Sequence, residues 1–246
     1  MKDIQDKKIY HLFPGNMKHH TPNMIKYFLM YATQLEINIE QHYFVIMSKN
    51  DENDIVYAEL DISSTKIIFL DETTKELKFF ISEIDKKNAL ILHSSFIKHI
   101  WSILLINRFR GLKNTAWISW GADLLPGKGL KGKVYDFIKG IVINKMAAVS
   151  TLDEYDSLLM KKRFGPNIID TRAFYSQYDF AWKDIVSNCD DYDYSKKEFN
   201  ILIGNSAWPE NKHFEIINKL KNFKDSKINI YCPLGYPSNT EYKTEV

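Results

Sequence analysis

The sequence predicts an α/β fold built on a doubly wound, mostly parallel sheet, and three observations lead there. Short apolar runs of strand length alternate with segments whose apolar residues recur at helical spacing. Cap and turn residues fall between the two kinds of segment, as at Thr21-Pro22 and Gly121-Ala122-Asp123. The alternation lapses once, over a polar acidic stretch between Trp182 and Glu198, and then restarts.

Taken in order, Lys8 to Phe13 reads as a first strand, followed by a loop from Pro14 to His20. Thr21 then caps a helix with proline at its first position, and Met24, Ile25, Phe28, Leu29 and Ala32 keep helical spacing. His42 to Met47 and Lys66 to Leu70 are strands two and three. Leu77 to Ile84 is a short helix, and Ala89 to Leu92 a buried strand ending at His93. Phe96 to Arg110 reads as one helix, apolar on most of its surface. The strand from Thr115 leads to a basic helix over about Lys131 to Lys145; Met146 to Val149 and Asp153 to Phe164 follow as strand and helix. After the lapse come strand Phe199 to Ile203, loop Gly204 to Trp208, helix Pro209 to Phe223 and strand Ile228 to Cys232. We therefore expect a first domain over 1–182, a linker over 183–198, and a second domain over 199–246. That last stretch is a single β-α-β unit, which leaves one face of its sheet uncovered and reads as incomplete.

Composition is that of an ordinary globular protein, 45% hydrophobic and 26% charged over 246 residues. The most apolar segment, Phe96 to Phe109, carries Lys98, His99 and Arg108 and is too short to span a bilayer. The N-terminal MKDIQDKKIY lacks the apolar core of a signal peptide, so export is not expected. Two cysteines, Cys189 and Cys232, make neither a disulfide framework nor a metal site, which fits a reducing cytoplasm. Charge is uneven: between Phe96 and Lys145 nine Lys or Arg face two Asp, a local +7 in a chain of net +2. Such a block suits a phosphate-bearing partner, an anionic membrane surface or a nucleic acid, or is simply a solvated helix face. The absence of a recognised nucleic-acid module weighs against the second.

The run TAWISWGAD, Thr115 to Asp123, carries the most chemistry. A buried strand feeds a loop of small residues ending in a carboxylate, and in open α/β sheets the crevice beyond the carboxyl ends of the strands is where ligands bind. Asp123 there can accept a proton, hold a sugar hydroxyl, or merely cap the next helix. Gly204-Asn205-Ser206, ahead of a helix, offers backbone N–H groups to a phosphate or, equally, a helix cap.

Five segments in order resemble one family: His11 with His19-His20 entering MIKYF; the strand ending in His93; Trp120-Gly-Ala-Asp-Leu124; ILIGNS at 201–206 with Asn211 and His213; and PLGYP at 233–237 with Asn239, Glu241 and Tyr242. Together they resemble the glycosyltransferases that add 4-acetamido-4,6-dideoxygalactose (Fuc4NAc) in enterobacterial common antigen synthesis. The resemblance implies a GT-B-like fold of two Rossmann-type domains, the second incomplete here because family members continue further. It implies a dTDP-sugar donor and an undecaprenyl-pyrophosphate-linked oligosaccharide acceptor, used at the cytoplasmic face of the bacterial inner membrane by a peripheral protein. Asp123 becomes the catalytic candidate; His19, His20, His93 and Trp120 the acceptor side; Gly204, Asn205, Ser206, Gly235 and Tyr236 the donor side. Lys131, Lys133 and Lys139 would face the membrane. No cofactor, metal or nucleic acid is expected. The loop Pro14-Gly15-Asn16-Met17 and Pro22 depart from the family pattern, which puts the sugars in doubt rather than the fold.

Two further signals carry nothing. Gly121 to Lys128 has its glycines six apart and Gly129 where a phosphate-binding P-loop needs Ser or Thr. Asp191-Tyr192-Asp193 resembles a metal-binding Asp-x-Asp but lies in the polar linker. The alternatives are an O-antigen or capsule glycosyltransferase with another donor, and a non-catalytic fragment that only binds membrane.

Overall fold

The computed structural model describes residues 7–15, 20–32, 34–48, 66–165, 168–172, 199–204, 206–207, 209–223, 227–234 and 240–246. The expected linker, the Asp191–Asp193 triplet, Cys189, and the site candidates His19, Asn205, Gly235 and Tyr236 lie outside these residues. The chain divides into two compact units, Met1–Phe180 and Ala181–Val246.

The first unit is a sheet of seven strands: β1 (Ile9–Pro14), β2 (His42–Met47), β3 (Ile67–Leu70), β4 (Ala89–His93), β5 (Thr115–Ile118), β6 (Ala148–Thr151) and β7 (Asp170–Arg172). Their order is β3-β2-β1-β4-β5-β6-β7, and every pairing is parallel. The connections therefore run outward in one direction from β1 and in the other from β4, and a crevice opens between these two strands at their carboxyl ends. Both faces are packed, which is why the central strands read as continuous apolar runs. Leu12, Val45, Leu90, Leu92 and Trp117 join Leu77 and Ile81 of α2 (Thr74–Glu83), Trp101 and Leu104 of α3 (Ile100–Asn107), Val142 and Ile143 of α4 (Gly129–Ile143), and Met160 of α5 (Glu154–Phe164). The alternate residues Phe13, Phe44 and Ile46 pack with Ile25 of α1 (Thr21–Ala32).

Local chemistry sets the helix starts. The Thr73 hydroxyl accepts the Glu76 N–H (3.1 Å) ahead of α2, and the Asp153 carboxylate accepts the Asp156 N–H (2.8 Å) ahead of α5. The long helix expected over Phe96 to Arg110 is instead the eight residues of α3 followed by a 3₁₀ turn, Phe109–Asn114. His99 takes a left-handed backbone angle (φ 61°), so the helix begins only after it. Beyond α3, Arg108 is fully buried, with Nε donating to the Thr115 hydroxyl (3.0 Å) and Nη2 to the Asn88 carbonyl (2.6 Å). Burial pulls this guanidinium down to about 10.

Lys139 corrects the sequence reading most directly. It was expected on a membrane-facing surface with Lys131 and Lys133; those two are exposed, whereas Lys139 is 2% exposed. The reason is helical phase: nine residues at about 100° each put Lys139 roughly 180° from Leu130, on the face of α4 that enters the core. Its ammonium lies over the rings of Trp117 (4.6 Å), Trp101 (5.3 Å) and Phe164 (5.4 Å).

The second unit pairs β8 (Phe199–Leu202) in parallel with β9 (Ile228–Tyr231), joined through α6 (His213–Leu220), and ends in α7 (Thr240–Glu245). Sequence periodicity did not predict α7, or β7, whose three residues Asp170-Thr171-Arg172 carry no apolar signature.

Trp117 is fully buried and meets Trp101 edge-on at 5.1 Å, whereas Phe79 of α2 is 64% exposed. Trp117→Ala should lower unfolding free energy by about 3–5 kcal/mol, and Phe79→Ala by no more than about 0.5 kcal/mol, as read from urea titrations followed by far-UV circular dichroism.

Candidate active site

At the carboxyl ends of β1, β2 and β4 lies a cleft of about 260 Å³, close to the lower end of small-molecule pockets. Pro14, Gly15 and Met47 form its floor, Thr73, Thr74 and Leu77 of the α2 start one wall, and Phe96, Ile97 and Lys98 the other, with Glu72 at the rim. Gly15 is obligatory here, since a Cβ would sit 1.6 Å from the Met47 carbonyl oxygen and 1.9 Å from a Glu72 carboxylate oxygen. A carboxylate, hydroxyls, an ammonium and an aromatic ring suit a polyhydroxylated ligand. Sequence reasoning missed Glu72, Thr73, Phe96 and Lys98; the Thr73-x-x-Glu76 capping box was the available signal for where that helix, and so this wall, begins.

Beside the cleft, β5 delivers the Ser119–Asp123 loop. The Asp123 carboxylate accepts three hydrogen bonds: the Ser119 hydroxyl (2.7 Å) and Trp120 N–H (3.0 Å) on Oδ1, and the Ser95 N–H (2.9 Å) on Oδ2. Its carbonyl oxygen accepts from Lys139 Nζ. Asp123 thus fastens the loop after β4 to the loop after β5. Burial pushes Lys139 down to about 8, against the opposing pull of Asp123.

A second carboxylate lies against the same loop. Gly121 has φ +75°, and a Cβ on it would be 3.1 Å from Asp156 Oδ2. Asp156 is half-buried at the start of α5, and burial, reinforced by Asp153 and Asp123, raises its pKa. Asp123 and Asp153 spend their carboxylates on loop and cap N–H groups, while the Asp156 side chain has no hydrogen-bond partner among the described residues. Nothing in the sequence set Asp156 apart from the rest of the expected Asp153 to Phe164 helix.

The histidines divide into two groups. His20 reaches Trp120, their rings edge-on at 5.8 Å, so two of the expected acceptor-side residues do come together. His93 instead joins a buried row: His11 Nδ1 meets His93 Nε2 at 3.0 Å, and His11 Nε2 meets His42 Nδ1 at 2.8 Å. The row crosses β4, β1 and β2, with Phe13 stacked on His93 at 4.0 Å and Phe28 close to both His11 and His42. Burial lowers all three pKa values: His93 to about 3, His11 well below its usual range with the two neighbouring imidazoles adding to the effect, and His42 less deeply. All three are neutral at pH 7.

In the second unit, the loop after β8 is closely packed. Gly204 has φ +64°, and a Cβ there would lie 2.8 Å from His213 Nε2 and 2.9 Å from Asn211 Cβ. Asn211 Nδ2 donates to the Ser206 carbonyl (2.7 Å) and hydroxyl (3.2 Å). Tyr242 Oη accepts the His213 N–H (3.2 Å) and lies 3.1 Å from His213 Nδ1. Gly204, Ser206, Asn211 and His213 of one sequence motif and Tyr242 of the next therefore form one cluster. His213 is fully buried, and its Nε2 has no partner among the described residues.

The family model described as 4-alpha-L-fucosyltransferase glycosyl transferase group 56 matches residues 6–246. The chain belongs to this family. It is a glycosyltransferase. Among solved structures, it is similar to a glycosyltransferase from Rickettsia africae ESF-5, at 13% identity and a TM-score of 0.50 over 94% of this chain and 69% of that one, a likeness of fold.

The neutral histidine row ties stability of this family member to pH. An unfolded histidine takes up a proton near pH 6.5, which the folded core refuses until about pH 3 at His93. The unfolded state therefore binds more protons in that window, and stability falls as pH drops through it, by up to about 1.4 kcal/mol per pH unit for each refused proton. Melting temperatures recorded from pH 7 to pH 4 should fall steeply for the native chain. The fall should be shallower for His11→Phe measured against its own value at pH 7.

Proposed function

We propose that this chain transfers Fuc4NAc from a dTDP-sugar to an undecaprenyl-pyrophosphate-linked oligosaccharide in enterobacterial common antigen synthesis, at the cytoplasmic face of the inner membrane. The observation that carries the reading is family membership over 6–246 combined with a cleft at the switch point between β1 and β4. On this reading the fold is GT-B-like: the first unit takes the acceptor in the Gly15–Glu72–Lys98 cleft, with His20 and Trp120 nearby. The second takes the donor diphosphate at the Gly204–Ser206 loop, where the unpartnered His213 Nε2 supplies a further polar contact.

The reaction needs an acceptor hydroxyl to attack the anomeric carbon while the bond from that carbon to the diphosphate oxygen breaks. The hydroxyl proton passes to a base, and the diphosphate leaves with the electron pair. Asp156 is the better base of the two carboxylates at the loop. Its lone pairs are uncommitted among the described residues and burial raises its pKa, whereas Asp123 is held by three donors. Asp123 then positions Ser95 and Trp120 rather than taking the proton.

One observation favours a second reading, transfer of a different sugar as in O-antigen or capsule assembly. Pro14 and Gly15, which open the segment that departs from the family pattern, are themselves part of the floor of the acceptor cleft.

Labelled transfer from dTDP-Fuc4NAc to a prenyl-pyrophosphate disaccharide tests the proposal. Asp156→Asn should lower kcat by about 10²–10⁴-fold with an unchanged melting temperature. Asp123→Asn should lower the melting temperature along with activity. Full activity in Asp156→Asn removes it as the base, and transfer only from another sugar nucleotide selects the second reading.

A further inference from the structure

The outer face of α4 is inverted relative to an ordinary surface helix. Leu130 is 80% exposed, Val134 52% and Phe137 70%, and Leu125, just ahead of the helix, 63%. Positions 130, 134, 137 and 141 follow the spacing of one helical face, with Ile141 partly exposed at the far end, so the apolar residues form a stripe along the centre of the solvent side. Lys131 and Lys133 flank the stripe on opposite sides, and Lys128 stands at its start; none is paired with a carboxylate among the described residues.

Folding sharpens the charge of this region. Of the nine basic residues between Phe96 and Lys145, Arg108 and Lys139 are buried, leaving seven exposed. Both acids are withdrawn: Asp123 into its loop, and Asp136 onto Arg163 (2.8 Å) and the Gly127 N–H (3.0 Å). Alongside Phe137 and Ile141, between α4 and α5, runs an open groove of about 500 Å³ that also receives Lys145 and Arg163. Arg163 Nη1 has no partner among the described residues.

We infer that this face of α4 docks the enzyme on an anionic phospholipid bilayer, with Leu130, Val134 and Phe137 entering the acyl boundary and the flanking lysines meeting headgroup phosphates. Free phosphate has use for the lysines but none for the stripe, and a second copy of this chain would bring a like-charged face against it; an anionic bilayer complements both features. No helix among the described residues is long and apolar enough to cross a membrane, so α4 lies on the surface. Its amino end joins the Asp123 loop, so docking holds the carboxyl-end crevice at the lipid surface where a prenyl-linked acceptor is presented. The inference rests on the lipid-linked acceptor reading for its purpose, but not for its chemistry.

Flotation of the full 246-residue chain with phosphatidylglycerol/phosphatidylethanolamine vesicles, without any donor, tests it. Binding to these but not to phosphatidylcholine vesicles, released by high salt, is expected. Phe137→Ser should weaken it about tenfold, the loss of one inserted aromatic, and Lys131→Glu with Lys133→Glu should abolish it. Phe79→Ser, an exposed aromatic elsewhere, should bind like the native chain. All these sites are exposed, and matching melting temperatures establish that each variant is folded. Transfer to a water-soluble short-chain acceptor should be equal in native and Phe137→Ser protein, so a failed docking face and a failed enzyme assignment give different results. Undiminished flotation of Phe137→Ser overturns the inference. So does equal binding to neutral vesicles, or a stripe-dependent dimer in sedimentation equilibrium without vesicle binding.

Discussion

The Asp123–Lys139 pairing fixes the geometry around which the candidate site is built. One residue supplies four acceptor contacts: three on its carboxylate from the loops after β4 and β5, and one on its carbonyl from a lysine rising out of α4. A buried ammonium is costly unless its charge is answered, and here three aromatic faces and a carbonyl answer it. The two buried tryptophans of the core, Trp101 and Trp117, are also the walls of that cage. Packing and site architecture are consequently one feature in this protein.

Much of the fold was legible. Strand β2 was placed to the residue, and the parallel sheet followed from the alternation, because strands covered on both faces leave continuous apolar runs. What escaped had physical causes. One left-handed residue, His99, shortened α3 at its start without any glycine to announce it. Polar β7 is held by ladder bonds to β6 and by the Asp170 contacts to Thr151 and Ser157, none of which has a hydrophobic signature.

Of the candidate site, the sequence pointed to one loop and not to what surrounds it. The TAWISWGAD run led to Asp123, yet its role depended on what faced it, and Ser95 is 28 residues away. Asp156 comes against that loop where Gly121 carries no side chain. Lys139 was misread for a related reason. The basic helix has apolar residues on both sides, so composition could not say which side entered the core, and only helical phase separates Lys139 from Lys131 and Lys133. Gly204, Asn211 and His213 were noted in one motif and Tyr242 in the next; that Tyr242 closes onto His213 is a property of the folded chain.

The histidine row has a directional property. Each neutral imidazole owns one ring proton, so the three can be arranged in two ways, with every donor pointing toward His93 or every donor pointing away from it. The first leaves a buried N–H on His93 Nδ1 without an acceptor, the second only a bare lone pair, and orphaned N–H groups are the rarer of the two in protein interiors. The second arrangement is favoured: His93 donates to His11, His11 to His42, and His42 keeps its proton on Nε2. The tautomer of the innermost ring is thereby linked to that of the outermost, so a change at His42 reaches the carboxyl end of β4 without moving a heavy atom.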